Sequence, residues 1–370
     1  NMTAISEVSK LSWRAIENDY TLDQYEEELE KIRTRKRNYT SWQVAIGAGF
    51  ACGGFCIQFG CDWMAFLYAS IAAIIGMRVR AKCNESGLNH YMGIAISAFI
   101  ATMLAWASTL LPAEWTSTPW HPLLACALFI VPGVPLINFV DDMLDNYIQV
   151  GIVRAVNTLL MVSAMAFGIA FAVKLCSIGD FFPTISMVPH HNYLEYAIAA
   201  AISAMGFSMI FNIQRRLLWV VAIGGIIAVC TRNFVNLGPS TNNIGLDMGL
   251  VIGSFSGSVL VSLIAIKAVH WFHVPNHVLT IPSVIPMIPG VLMYRMLFGL
   301  INMNVQSIDQ VTPLMKAIES GVNSGLVIMC IALGVAIPNI FGRKYIASSK
   351  NKRLAEILKE RKARGKFVEW

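Results

Sequence analysis

The sequence predicts an all-α integral membrane protein. Ten transmembrane helices form two inverted five-helix repeats, with helices four and nine broken and cytoplasmic helices ahead of the first span. Three observations predict this. First, of 370 residues 56% are hydrophobic and 14% charged, where soluble chains carry about a quarter charged residues. Second, residues 1–39 hold 15 of the 50 charged side chains and residues 343–370 hold 13. The remaining 22, equal in sign, are spread over 303 residues, too few to give a soluble enzyme a hydrated surface, so lipid must solvate the middle of the chain. Third, the chain resembles itself at offsets of 152 to 166 residues. The net charge of +6 resides in the tails and does not argue for nucleic acid.

The elements follow in order. Residues 1–39 form a cytoplasmic helical arm, in which Thr21 and Gln24 make a capping box ahead of Tyr25, Leu29 and Ile32 at helical spacing. That charged, helix-forming start is no secretory signal, and a first residue of Asn1 rather than Met leaves room for residues upstream. Stretches near the 20 apolar residues that cross a bilayer occur at about 41–60, 62–79, 90–111, 121–140, 150–174, 193–212, 216–231, 246–267, 276–300 and 314–340. Lys and Arg set their direction. Lys31 to Arg37, Arg78 to Lys82, Arg215-Arg216, Lys267 and ten cations after the tenth span all fall on one side. Both termini are therefore expected in the cytoplasm, with the acidic segment Asp141–Asn146 as the exception to the rule. Residues 343–370 form a basic cytoplasmic tail suited to an anionic lipid surface.

Self-comparison divides the membrane part into repeats at 40–178 and 190–342. Ala45-Ile46 and Gly54-Phe55 recur 152 residues later as Ala197-Ile198 and Gly206-Phe207. Met92-Gly93 recurs at 156, Pro132-Gly133-Val134 at 157 as Pro289-Gly290-Val291, and Val156-Asn157 at 166 as Val322-Asn323. The offset only grows, as loop insertions would make it. Five spans is an odd number, so the second copy must enter from the opposite side, as in many secondary transporters.

Spans four and nine carry Val131-Pro132-Gly133-Val134-Pro135 and Ile285-Pro286 through Pro289-Gly290. Proline removes a backbone donor and breaks the helix. In lipid such breaks persist only where protein or a wet cavity satisfies the freed groups, and matched breaks mark a transporter's binding site. The candidate substrate-binding residues are therefore Pro132, Gly133, Asn138, Arg154, Asn157, Pro289, Gly290, Tyr294, Arg295 and Asn323. Asn302 and Lys316 lie near them. Asn157 and Asn323 are equivalent by repeat and read as a symmetric pair on one pathway. Arg295 stands where the first copy has Asn138, and an Arg fork suits a carboxylate. Asp142 and Glu319 are candidate proton carriers, with fixed ion pairs to Arg154 and Lys316 as the competing reading.

No cofactor or metal is expected, and no catalytic residue. The eight cysteines form no C-x-x-C pair, the histidines 190, 191, 270 and 273 sit at span ends, and no G-x-S-x-G, H-E-x-x-H or Walker motif occurs. The expected partners are protons, the bilayer and a small solute, an amino acid or a dicarboxylate, with a homo-oligomer left open.

The run from Val131 to Asn138, followed by Asp142, Gly151 and Arg154, resembles the first half of the bacterial threonine/serine exporter family. "GFSMIFN" at 206–212 and "IPMIPG" at 285–290 resemble its second half. The resemblance spans nearly the whole chain. It implies an exporter in the bacterial inner membrane that moves small hydrophilic metabolites, threonine and serine as type substrates, with the proton-motive force as driver. It carries over Pro132, Gly133, Asn138, Asp142, Gly151 and Arg154. Two positions depart from the pattern: Asp141, where a base often precedes the family Asp, and Asn146, where Gly is usual. The motif is most similar to the split form associated with succinate export, so a dicarboxylate is the alternative cargo and a passive channel or assembly subunit the second alternative.

Overall fold

A computed structural model describes residues 1–110, 112, 114–176, 191–239, 244–272, 274–301 and 311–363. Every regular element among them is helical. The arm is α1 (Met2–Asn18) and α2 (Leu22–Thr34), the latter opened by the Thr21–Gln24 capping box read from the sequence. The first half continues with α3 (Ser41–Gln58), α4 (Trp63–Glu85), α5 (His90–Trp106), a short α6 (Pro122–Ala125), α7 (Gly133–Leu144) and α8 (Ile148–Leu175). The second half holds α9 (Tyr193–Ile210), α10 (Leu218–Asn236), α11 (Leu250–Phe272), α12 (Asn276–Val284), α13 (Gly290–Ile301) and α14 (Val311–Ala363).

Among the described residues seven helical stretches are long and apolar enough to cross a membrane: 63–85, 90–110, 148–175, 193–210, 215–236, 250–269 and 314–342. Three of the ten expected spans fall outside that set for physical reasons. Helix α3 is made less apolar by Gln43 and Gln58 as well as by Gly47, Gly49, Gly53 and Gly54, and the glycines let neighbours approach. Spans four and nine are interrupted. The exposed surface is that of a protein bathed in lipid: Trp271 and Phe341 are 78% and 79% exposed, a pattern that water would punish with aggregation. The tail is not a separate helix. Its backbone continues α14 without interruption from the span through to Ala363.

Small residues set the packing between the halves. Helix α3 lies against α9 at backbone distance. A Cβ on Gly54 would stand 2.6 Å from the Ala199 carbonyl, and one on Gly206 would stand 2.6 Å from the Ala51 nitrogen and run into the Gly47 carbonyl. Ser203 Oγ donates to the Ala51 carbonyl at 3.1 Å. Without water or a hydrophobic drive between helices, such close dispersion contact is the main adhesive available in a bilayer.

Loops are tied down by single residues. Asp62 caps α4 by accepting from the Ala65 N–H at 2.7 Å, and its other oxygen accepts from Thr116 Oγ1, Ser117 N and Ser117 Oγ at 2.7–3.1 Å. His191 at the foot of α9 is buried between the Cys61 carbonyl (2.8 Å) and Glu195 (3.0 Å). At the other end the arm docks on the turn after α9. Thr3 Oγ1 donates to the Asn212 carbonyl, and Asn212 Oδ1 accepts from the Asn38 N–H at 2.8 Å. Asn212 (φ 59) and Asn146 (φ 68) are left-handed, a conformation that Asn tolerates better than other residues with a Cβ. That explains why Asn146 can stand where the resemblance leads one to expect Gly.

Two outcomes follow. Gly206→Ala should cost about 1–3 kcal/mol, read as a lower melting temperature in detergent. Gly325→Ala, where a Cβ meets nothing within 4 Å, should leave that temperature nearly unchanged. For Asp62, burial pushes the carboxyl up, but the hydrogen bonds from Ala65, Thr116 and Ser117 together hold it below its ordinary 3.8. A depressed folded value means the anchor is complete above about pH 3.8 and is lost as pH falls through the folded value. Amide hydrogen exchange at Ser117, whose N–H donates to Asp62, should therefore speed up beyond its intrinsic pH dependence only below that range, and Asp62→Ala should show the same faster exchange at neutral pH.

Candidate functional site

The two breaks have the same local construction. At the first, the Gly133 N–H donates to the Val131 carbonyl at 2.8 Å around Pro132 at φ −77, ψ 61, an inverse γ-turn. At the second, the Gly290 N–H donates to the Ile288 carbonyl at 2.9 Å, around Pro289. Each proline stops the incoming turn, and each glycine starts the next helix, α7 or α13.

The breaks also pack on one another reciprocally. A Cβ on Gly133 would fall 2.7 Å from Ile288 Cδ1 and 3.3 Å from Ile285 Cγ1; one on Gly290 would run into Leu128 and come 3.6 Å from Val131. Gly290, Ile285 and Ile288 lie 157 residues after Gly133, Leu128 and Val131. The same contact is thus made twice with the partners exchanged, as across a two-fold axis. All four proline and glycine candidates, Pro132, Gly133, Pro289 and Gly290, are buried at this crossing.

Beyond the breaks lies a partly open cavity of about 220 Å³, bounded by α7 (Leu136, Phe139), α8 (Ala155, Thr158, Leu159, Val162), α13 (Met293, Met296) and α14 (Gly321, Ser324, Ile328). By that measure it has room for on the order of fifteen waters. The wall is apolar apart from Thr158 and Ser324. No charged side chain is part of it.

The other predicted residues are distributed around this centre. Arg154 donates to Asp142 at 2.6 Å across the turn joining α7 to α8, with the Arg side chain exposed. Asp141, the extra acid, lies 3.9 Å from His277. Asn157 is exposed and accepts from the Tyr91 hydroxyl at 2.7 Å, so it ties α8 to α5. Asn138, Arg295 and Asn323 are half-buried on α7, α13 and α14. Glu319 and Lys316 are exposed on α14, and among the described residues no ion pair joins them. Tyr294 is on α13 with its side chain outside the described residues, as is all of Asn302. No group of three His, Cys, Asp or Glu that could hold a metal occurs among the described residues.

Thr158 and Ser324 are not singled out by the sequence reading. A signal was present, because the 166-residue offset that pairs Asn157 with Asn323 pairs them as well.

The ion pair yields a test. An exposed pair contributes about 0–1 kcal/mol. Asp142→Asn should therefore melt within a few degrees of the unaltered protein, so that any change in its activity reports chemistry rather than unfolding. A collapse in melting temperature would mean that the pair holds the α7–α8 turn.

Two family models match the chain: one described as "Putative threonine/serine exporter" over residues 1–176 and one described as "Threonine/Serine exporter, ThrE" over residues 196–341. Among curated proteins the chain is similar to "Probable succinate transporter subunit YjjP" of Klebsiella aerogenes. The two are 27% identical over 175 residues, 47% of this chain and 67% of that protein. The protein of the same name from Escherichia coli strain K12 matches at the same identity and coverage. No solved structure matches.

Proposed function

This chain belongs to the threonine/serine exporter family and carries both of its halves, and from that premise we propose that it is a secondary exporter of small hydrophilic metabolites, with threonine and serine as its cargo and the proton-motive force as its driver. It acts as a carrier and not as an enzyme. It lies in the bacterial inner membrane as ten spans with both termini in the cytoplasm. Its repeats at 40–178 and 190–342 are inverted, flanked by the arm at 1–39 and the tail at 343–370.

The observation that carries the reading is the reciprocal crossing of the two broken helices beside a cavity walled by both halves. Half-helix ends near midplane are where such carriers place their solute, and α7 and α13 begin there. Rocking one half against the other would open the cavity to each side in turn. Asp142 is the proposed proton site: it stands at the basic end, hydrogen-bonded to Arg154, where protonation would release the arginine. Asn138, Arg295 and Asn323, half-buried on α7, α13 and α14, are the residues proposed to line the rest of the route.

A dicarboxylate is the second reading, favoured by the succinate named for both curated relatives and by the cations Arg154, Arg295 and Lys316. The cavity weighs against it. A dianion brought among apolar walls without a facing cation is costly, whereas a zwitterion carries its own countercharge.

Counterflow in proteoliposomes loaded with threonine, serine or succinate decides between them. Labelled threonine and serine should accumulate with saturable kinetics, faster under an imposed pH gradient, and Asp142→Asn should abolish the response to the gradient. Succinate exchange alone would transfer the assignment to dicarboxylates. Flux that never saturates would make the protein a channel.

A further inference from the structure

The cavity between α7, α8, α13 and α14 is built from matched positions. Ten of its eleven wall residues fall into five pairs at the offsets that relate the two halves of the sequence. Leu136 and Met293 lie 157 apart, and Thr158 and Ser324, like Val162 and Ile328, lie 166 apart. A packing defect has no reason to draw on both copies position for position, whereas a void on the axis relating them must.

One of the five pairs is polar. Thr158 and Ser324 are each 3% exposed. Thr158 Oγ1 donates to the Arg154 carbonyl at 2.7 Å, which uses its proton and leaves the oxygen as an acceptor. Ser324 Oγ has no hydrogen-bond partner among the described residues. The other orphan hydroxyls among the described residues, those of Ser6, Tyr39, Ser70, Tyr196 and Ser254, are not in the cavity wall. A buried hydroxyl without a partner is destabilising, and one on a residue that lines a cavity can be completed by an occupant once its side chain rotates toward it.

On the exporter reading just given, we propose that Thr158 and Ser324 are the solute-contacting polar pair, one from each half. The Thr158 oxygen accepts from the solute's ammonium, and the Ser324 hydroxyl donates to its carboxylate. The class of ligand is a small net-neutral amino acid. Its two charges find one acceptor and one donor, one from each half.

The test uses the full chain in proteoliposomes, with threonine as the probe, and the melting temperature in detergent with and without threonine. Ser324→Ala and Thr158→Val should each raise the KM for counterflow about three- to tenfold with the maximal rate retained. The double variant should lose the threonine-dependent rise in melting temperature. Ser324→Thr and Thr158→Ser, which keep the hydroxyls, should stay within about twofold of the unaltered KM. Val162→Phe, which fills the void from the apolar wall, should abolish exchange while the protein still folds. A double variant with unaltered KM and unaltered thermal shift overturns the hydroxyl pair and leaves the exporter reading standing. So does wild-type KM in Val162→Phe. An unaltered chain that shows no saturable exchange of threonine, serine or succinate overturns both.

Discussion

A backbone crossing hydrocarbon has no water to satisfy its polar groups, so an interrupted helix is tolerated only where protein closes over the interruption. That constraint organises this molecule. Two of the expected spans are interrupted, at Pro132 and Pro289, and each break lies against the other. The inverse γ-turns return one N–H of each break to the chain itself. The rest of the protection comes from Leu128, Val131, Ile285 and Ile288, which seal the crossing from both sides. Each half thus covers the break of the other with branched side chains set against a glycine.

From that crossing outward, chemistry is sorted by depth. The centre holds small residues, apolar walls and two hydroxyls. Ion pairs sit at the margins: Arg154 with Asp142 on the α7–α8 turn, and the clusters of the arm. Capping boxes at Thr21, Thr40 and Asn192 start helices where water is close, and Asp62 holds a loop at the end of two spans. Exposed charges cost little at these margins and would cost much at the centre. The cavity offers a proposed solute few hydrogen bonds and much apolar shape.

Much of this was legible in the sequence because membranes make sequence unusually literal. Apolar length gave seven of the ten expected spans, and the proline-glycine pairs gave the breaks to the residue. The capping box at Thr21 and the pairing of Asp142 with Arg154 were also readable, since local spacing dictates both. What the spacing could not give was which face of a helix looks inward. Asn157 and Thr158 are adjacent, about 100° apart around α8, and the more polar of the two faces Tyr91 while the less polar faces the cavity. A stretch that is apolar all round leaves that rotation unmarked. Nor could composition show that α14 runs unbroken from span to tail, because a change from apolar to basic residues alters the solvent of a helix without ending it.

The contact between α3 and α9 has a further consequence. Ala51 and Ser203 are counterparts, 152 residues apart, and they touch. The hydroxyl is on one side only. Two first halves would bring alanine to alanine and forfeit the bond; two second halves would bring serine to serine, with bulk where the backbone needs room. Each half is thus shaped for the other in preference to a copy of itself. Carrying both in a single polypeptide then does something that contact alone cannot: it fixes their dosage at one to one, so that neither half is ever made in excess and left in the bilayer with an open break and no partner to cover it.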